Sequence, residues 1–142
     1  MAVGDVWQWA FIAFAVGENY DIDWRVVLSI IYLESGGRAD AVSEAGAVGL
    51  MQVMPKEAGP AFADRPPMEE LKDPLVNVVY GTRMLKRLLR YYGGDLKQAL
   101  CAYYMGIGGL ANKGLESDLA QKYLNAFRNA WGQLFPNKAC PV

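Results

Sequence analysis

Val27, Ile30, Ile31 and Glu34 stand at i, i+3, i+4 and i+7, so three apolar side chains and one carboxylate share a single helix face. Gly36-Gly37 follows at once and stops the helix, because glycine takes the left-handed conformation that a C-cap often needs. The chain therefore has to bury a helix whose last turn carries an acid on its apolar side. Desolvation disfavours the charged form of such an acid, and the negative end of the helix dipole acts in the same sense. An acid that keeps its proton near neutral pH can serve as a general acid. The other reading of Glu34 is a solvated side chain that swings out to water at a helix end.

Composition narrows the chemistry. With 142 residues, 53% hydrophobic and 20% charged, the chain is about one domain with a real core. It has no histidine, which excludes Ser-His-Asp and Cys-His nucleophile systems and histidine metal ligands. Cys101 and Cys140 are too few for a cysteine-only zinc site; they can pair or stay free. Neither a metal nor a cofactor is expected, and acid-base work falls to Asp, Glu, Lys, Tyr or Cys. A formal net charge of −1 gives no general pull toward nucleic acid. The apolar run Val6 to Val16 lacks the basic flank of a signal peptide. It is also shorter than the roughly 20 residues a bilayer span needs. No targeting segment is evident, so the export route stays open: trimming, a larger parent protein or a separate pathway.

Along the chain, Asp5 to Gly17 reads as a first helix, capped by Asp5, stopped by Gly17 and apolar nearly all round, hence buried. Asp23 caps the helix Trp24 to Glu34. Arg38 to Ala47 reads as loop, and Leu50 to Met54 is a short apolar segment limited by Pro55. Asp73-Pro74 opens a helix that runs to about Tyr92, with an inward face drawn from Leu75, Val78, Val79, Leu85, Leu88 and Leu89. On another face Arg83, Lys86, Arg87 and Arg90 form a basic stripe, either a solvated surface or a contact for an anionic polymer. Asp95 with Gln98 resembles a capping box ahead of a helix from Leu96 to Met105, broken by Gly106, Gly108 and Gly109. Ser117 starts a last helix with Leu119, Tyr123, Phe127, Ala130 and Trp131 at core spacing, ending at Gly132; the tail 133–142 has no clear structure. Nothing alternates like a strand, and the fold class is mainly α.

Three segments together carry a family resemblance. Glu34-Ser35-Gly36-Gly37 resembles the Glu-Ser motif of the soluble lytic transglycosylases, relatives of goose-type lysozyme. The run from Ala41 through Gly46-Ala47-Val48-Gly49-Leu50-Met51-Gln52-Val53-Met54-Pro55 is similar to the family's second motif almost without a gap. Asn77, Gly81, Gly94-Asp95-Leu96 and Ala99-Leu100-Cys101-Ala102-Tyr103 follow its third region in order. The resemblance spans about Tyr20 to Phe127 within one catalytic domain of residues 1–142, with 1–19 as its first helix. It implies a lysozyme-like helical fold with a groove for peptidoglycan glycan strands, acting in the periplasm or at the cell wall. It also implies cleavage of the β-1,4 bond between N-acetylmuramic acid and N-acetylglucosamine, with Glu34 as acid and then base and a 1,6-anhydro ring as product. Most glycosidases need two carboxylates; here one acid sits in a suitable motif.

By the same resemblance Ser43, Met51, Gln52 and Tyr103 line the groove. Ser43 can donate to a sugar or cap its loop. Met51 can form a soft wall under a sugar or fill the core. Gln52 can meet an N-acetyl group, and Tyr103 can orient Glu34 or pack its ring. Where the family has Ala-Tyr-Asn-Ala-Gly, this chain has Ala102-Tyr103-Tyr104-Met105-Gly106, so Tyr104 replaces a groove asparagine. Leu119 also stands where the family places a glutamate ahead of Tyr123. Two rival readings remain: a muramidase that uses water on the same bond, and a non-catalytic peptidoglycan-binding or secretion-scaffold module.

Overall fold

The chain folds into helices because its apolar residues recur at helical spacing and glycine or a capping side chain punctuates most of the runs. A computed structural model describes Val3–Val142; Met1 and Ala2, placed above with the first helix, lie outside the described residues. Among the described residues seven α-helices form: α1 Gly4–Trp7, α2 Ala10–Tyr20, α3 Trp24–Ser35, α4 Met68–Leu71, α5 Pro74–Tyr91, α6 Leu96–Lys113 and α7 Asp118–Leu134. Among the described residues there is no strand, only two isolated antiparallel bridges, Val42 with Val48 and Val48 with Val53. The chain divides into two compact units, one up to Thr82 and one from Arg83 to Val142.

In the first unit α3 is the centre. Val27, Leu28, Ser29, Ile30 and Ile31 are fully buried. Asp23 caps α3 as expected: its carboxylate accepts from the Arg25 N–H at 2.9 Å and from the Arg25 guanidinium at 3.0 and 2.9 Å. Partial burial pushes the Asp23 carboxyl up, but the hydrogen bonds and charge of Arg25 outweigh it and hold it below the usual aspartate range.

The N-terminal helix differs from expectation. Instead of one helix from Asp5 to Gly17, α1 ends at Trp7 and α2 starts at Ala10. The break lies beside Trp9, whose indole N–H donates to the Gly37 carbonyl at 2.8 Å. Asp5 is not the cap, and Gly17 is not the stop: α2 runs on to Tyr20 and ends at Asp21 in the left-handed conformation. Gly17 is small for a tertiary reason, since a Cβ there would lie 2.6 Å from the Ile22 carbonyl oxygen. Nor is the helix buried all round. Val6, Ala13, Val16 and Gly17 are buried, whereas Phe11 is 81% exposed.

In the second unit α6 packs on α7. Asp95 caps α6, accepting from the Gln98 N–H at 3.2 Å and from its side-chain amide at 2.8 Å. These bonds, the side-chain one foremost, hold the Asp95 carboxyl below its usual range. Gly106 kinks α6 at φ 78°, yet the helix resumes to Lys113, so Gly108 and Gly109 do not end it. Tyr123, Phe127, Ala130 and Trp131 are buried as their spacing predicts, while Leu119 is exposed. In α5, likewise, Leu75 points out. The tail is tied down: the Trp131 indole donates to the Lys138 carbonyl at 2.9 Å and Arg128 Nε to the Val142 carbonyl at 3.1 Å. Cys101 and Cys140 are free thiols, and burial pushes the Cys101 thiol up.

Gly37 and Gly93 both have positive φ, at 87° and 62°, but only at Gly37 would a Cβ collide with backbone, at Asp5 and Val6. Gly93→Ala is expected to cost about 1–2 kcal/mol, the ordinary penalty for the left-handed region. Gly37→Ala is expected to cost at least twice as much in urea denaturation; equal costs would remove the packing role assigned to Gly37.

Candidate active site

Glu34 sits in the last turn of α3, and each residue after it has a distinct task. Gly36, at φ 65° and ψ 20°, ends the helix, its N–H donating to the Ile31 carbonyl at 3.1 Å and the Tyr32 carbonyl at 3.0 Å. The buried Ser35 hydroxyl donates to the Ile31 carbonyl at 3.1 Å and accepts from the Gly37 N–H at 3.2 Å. Gly37 in turn offers its carbonyl to Trp9. Glu34 is thus carried, half-buried, on a helix end held by several hydrogen bonds.

A ladder of backbone hydrogen bonds leads from this turn into the next motif. Arg38 N–H donates to the Ser35 carbonyl, Ala41 N–H to the Arg38 carbonyl, and Gly49 N–H to the Ala41 carbonyl at 2.7 Å. Within residues 41–53, Val48 and Val53 exchange two bonds at 2.9 and 3.0 Å. Gln52 has φ 53°, unusual for a residue with a side chain, and its amide NH2 donates to the carbonyls of Gly49 at 3.0 Å and Ala41 at 3.3 Å. Both of these bonds use the nitrogen end of the amide. The Ser43 hydroxyl oxygen accepts from the Ala47 N–H at 3.0 Å, and the side chain is exposed.

The residue that holds this loop to the helices is Asn77 of α5, fully buried. Its Nδ2 donates to the Val48 carbonyl at 2.7 Å and the Leu71 carbonyl at 2.8 Å, and its Oδ1 accepts from the Met51 N–H at 2.7 Å. Gly49 has no Cβ because one would strike Asn77 and the Leu71 carbonyl. In the sequence Asn77 stands as one letter of a motif. Its signal was an uncharged amide on the same helix face as Gly81 and Leu85, where a polar group has to be satisfied internally.

Met51 is a correction. It is fully buried, runs against Gly81, where a Cβ would lie 2.6 Å from its sulfur, and receives a 3.8 Å contact from the Thr82 hydroxyl. Its side chain fills the core beside α5 and forms no wall for a ligand. In the second unit Tyr103 is half-buried. Tyr104 is 55% exposed and stacks on the buried Tyr123, ring centroids 5.0 Å apart and planes 12° apart. Among the described residues, no group of three or more Cys, Asp or Glu side chains is placed to hold a metal ion.

This is a mainly α, lysozyme-like fold. It superposes on the lytic transglycosylase Slt of Pseudomonas aeruginosa, solved as an inactive mutant, with a TM-score of 0.70 and 23% identity; the match covers 89% of this chain and 24% of that one. Residues 11–126 match the transglycosylase SLT domain model, and the chain belongs to that family. Its relatives include the membrane-bound lytic murein transglycosylase E of Buchnera aphidicola, 33% identical over 91 residues, or 60% of this chain and 41% of that protein. The endo-type membrane-bound lytic murein transglycosylase A of Citrobacter koseri is 37% identical over 87 residues, 57% of this chain and 43% of that one. A transglycosylase of Enterobacteria phage PRD1 is 35% identical over 99 residues, 70% of this chain and 35% of that one. The chain thus spans less than half the length of these curated relatives. No helix among the described residues is long and apolar enough to cross a membrane.

Asn77→Ala removes the partner of the Leu71 carbonyl and of the Met51 N–H in the core, and one of the two partners of the Val48 carbonyl. A loss of about 3 kcal/mol or more is expected in urea denaturation, since each buried unsatisfied group costs about 1–3 kcal/mol. A loss below about 1 kcal/mol would show that the loop is held by other means.

Proposed function

We propose that this chain is a peptidoglycan lytic transglycosylase acting at the cell wall. The observation that carries the proposal is Glu34, half-buried at the end of the most buried helix of its unit, at the head of a Glu-Ser-Gly-Gly turn. The relatives named lytic murein transglycosylases support the substrate class.

In the proposed reaction Glu34 donates its proton to the glycosidic oxygen as the bond between N-acetylmuramic acid and N-acetylglucosamine breaks. The same carboxylate then takes the proton of the muramic acid 6-hydroxyl, whose oxygen bonds to C1 and closes a 1,6-anhydro ring. No water enters, so the fragment that ends in the anhydro ring is lighter by one water than its hydrolytic counterpart. A single carboxylate suffices because the substrate's own hydroxyl is the nucleophile, in place of the second carboxylate of most glycosidases. Gln52, with its nitrogen end spent on the loop, presents a carbonyl oxygen suited to an acetamido N–H. Ser43 keeps its proton to donate, because its oxygen accepts within the loop. Tyr103 and Tyr104 are proposed as sugar contacts of the second unit. The stack on Tyr123 fixes the Tyr104 ring and leaves its outer face open to a sugar.

Two measurements test this. Glu34→Gln keeps the shape but not the proton, so release of muropeptides from purified sacculi is expected to fall about a thousandfold, within the range typical of general acid-base catalysis. Mass spectrometry of the wild-type digest is expected to give anhydro-muropeptides. Reducing ends would make the protein a hydrolase, and undiminished lysis by Glu34→Gln would remove Glu34 from the chemistry. Tyr104→Ala is expected to raise KM on soluble glycan strands about fivefold with little change in kcat, while Tyr104→Phe stays near wild type. An unchanged KM would take Tyr104 out of the site.

A further inference from the structure

The formal net charge of −1 conceals a division. Residues up to Thr82 carry five Lys/Arg and twelve Asp/Glu, whereas Arg83–Val142 carries nine Lys/Arg and three Asp/Glu. The second unit is therefore at net +6 from its side chains, and the first at net −7. Local excess of this kind sets the partners of a surface, even when the whole chain is near neutral.

The densest part is the exposed face of α5. Arg83, Arg87 and Arg90 stand at i, i+4 and i+7 and are all exposed, with the half-buried Lys86 beside them. No acid lies between Asp73 and Asp95 in the sequence, and the Asp95 carboxylate is engaged by Gln98 at the start of α6. Arg87 and Arg90 form no ion pair with the described residues. Tyr91, one helical turn on from Arg87, is 63% exposed and adds a flat aromatic surface. Arginine at all three outer positions supplies planar forks that match carboxylates two bonds at a time, which lysine does not.

We infer that this face of α5 docks on the carboxylates of the peptide stems that project from peptidoglycan. The inference rests on the reading of the substrate as peptidoglycan. The N-acetylated glycan backbone of that polymer offers no charge to a surface at net +6; the stems do. The face then acts apart from bond cleavage, raising the local concentration of wall around the enzyme in a salt-dependent manner.

The test is co-sedimentation of the full chain with purified sacculi across a series of NaCl concentrations. All proteins carry Glu34→Gln so that the wall is not consumed. Adding Arg87→Gln with Arg90→Gln is expected to weaken binding about fivefold at low salt, the scale of two exposed charge pairs, and to flatten the salt dependence. Arg87→Lys with Arg90→Lys should retain most of the binding. Sacculi whose stem carboxylates have been amidated with a neutral amine should bind the parental protein as weakly as the Gln pair binds untreated wall. Equal binding by parent and Gln pair overturns the inference, as does indifference to amidation or tighter binding to duplex DNA at the same ionic strength. Glycan cleavage is measured separately with Glu34 restored. Cleavage without charge-dependent binding would retire the docking face alone; charge-dependent binding without cleavage would retire the enzyme reading and leave the face standing.

Discussion

The Asn77 side chain makes three hydrogen bonds to three backbone groups, and the arrangement of the first unit follows from them. It joins α5 to the Val48 and Met51 positions of the loop and to the last residue of α4. Three partners satisfy this buried amide, and in return it meets the Leu71 carbonyl and the Met51 N–H in a core that does not admit water. The clamp also dictates its neighbours. Gly49 has to lack a Cβ beside it, and Met51, drawn in by its own N–H, lies over the bare backbone of Gly81. One polar contact thus accounts for two glycines and a methionine that a motif records only as letters.

The same economy holds at the end of α3. Helix termini leave carbonyls without partners; here the Gly36 N–H and the Ser35 hydroxyl meet the Ile31 and Tyr32 carbonyls, and Trp9 bonds the turn beyond them. The loop beyond it is joined through a succession of backbone bonds, so Glu34 and Gln52 lie on one hydrogen-bonded stretch of chain.

The division of charge adds a second layer. A chain at net −1 gives no electrostatic signal as a whole, while its second unit at net +6 does. The basic stripe was visible in the sequence as a periodic face, but its weight depended on where the compact units begin and end.

Helix content, the caps at Asp23, Asp95 and Ser117, the turn after Glu34 and the family could all be read from residue order, because each depends on neighbours within a few positions. Tertiary contact decided the rest. Trp9 bonding to Gly37 splits the first helix, and the close approach of Ile22 explains Gly17. Burial against α5 makes Met51 core, and the ring of Tyr123 fixes that of Tyr104. These facts involve partners far apart along the chain or the space left between them, and periodicity carries no information about either.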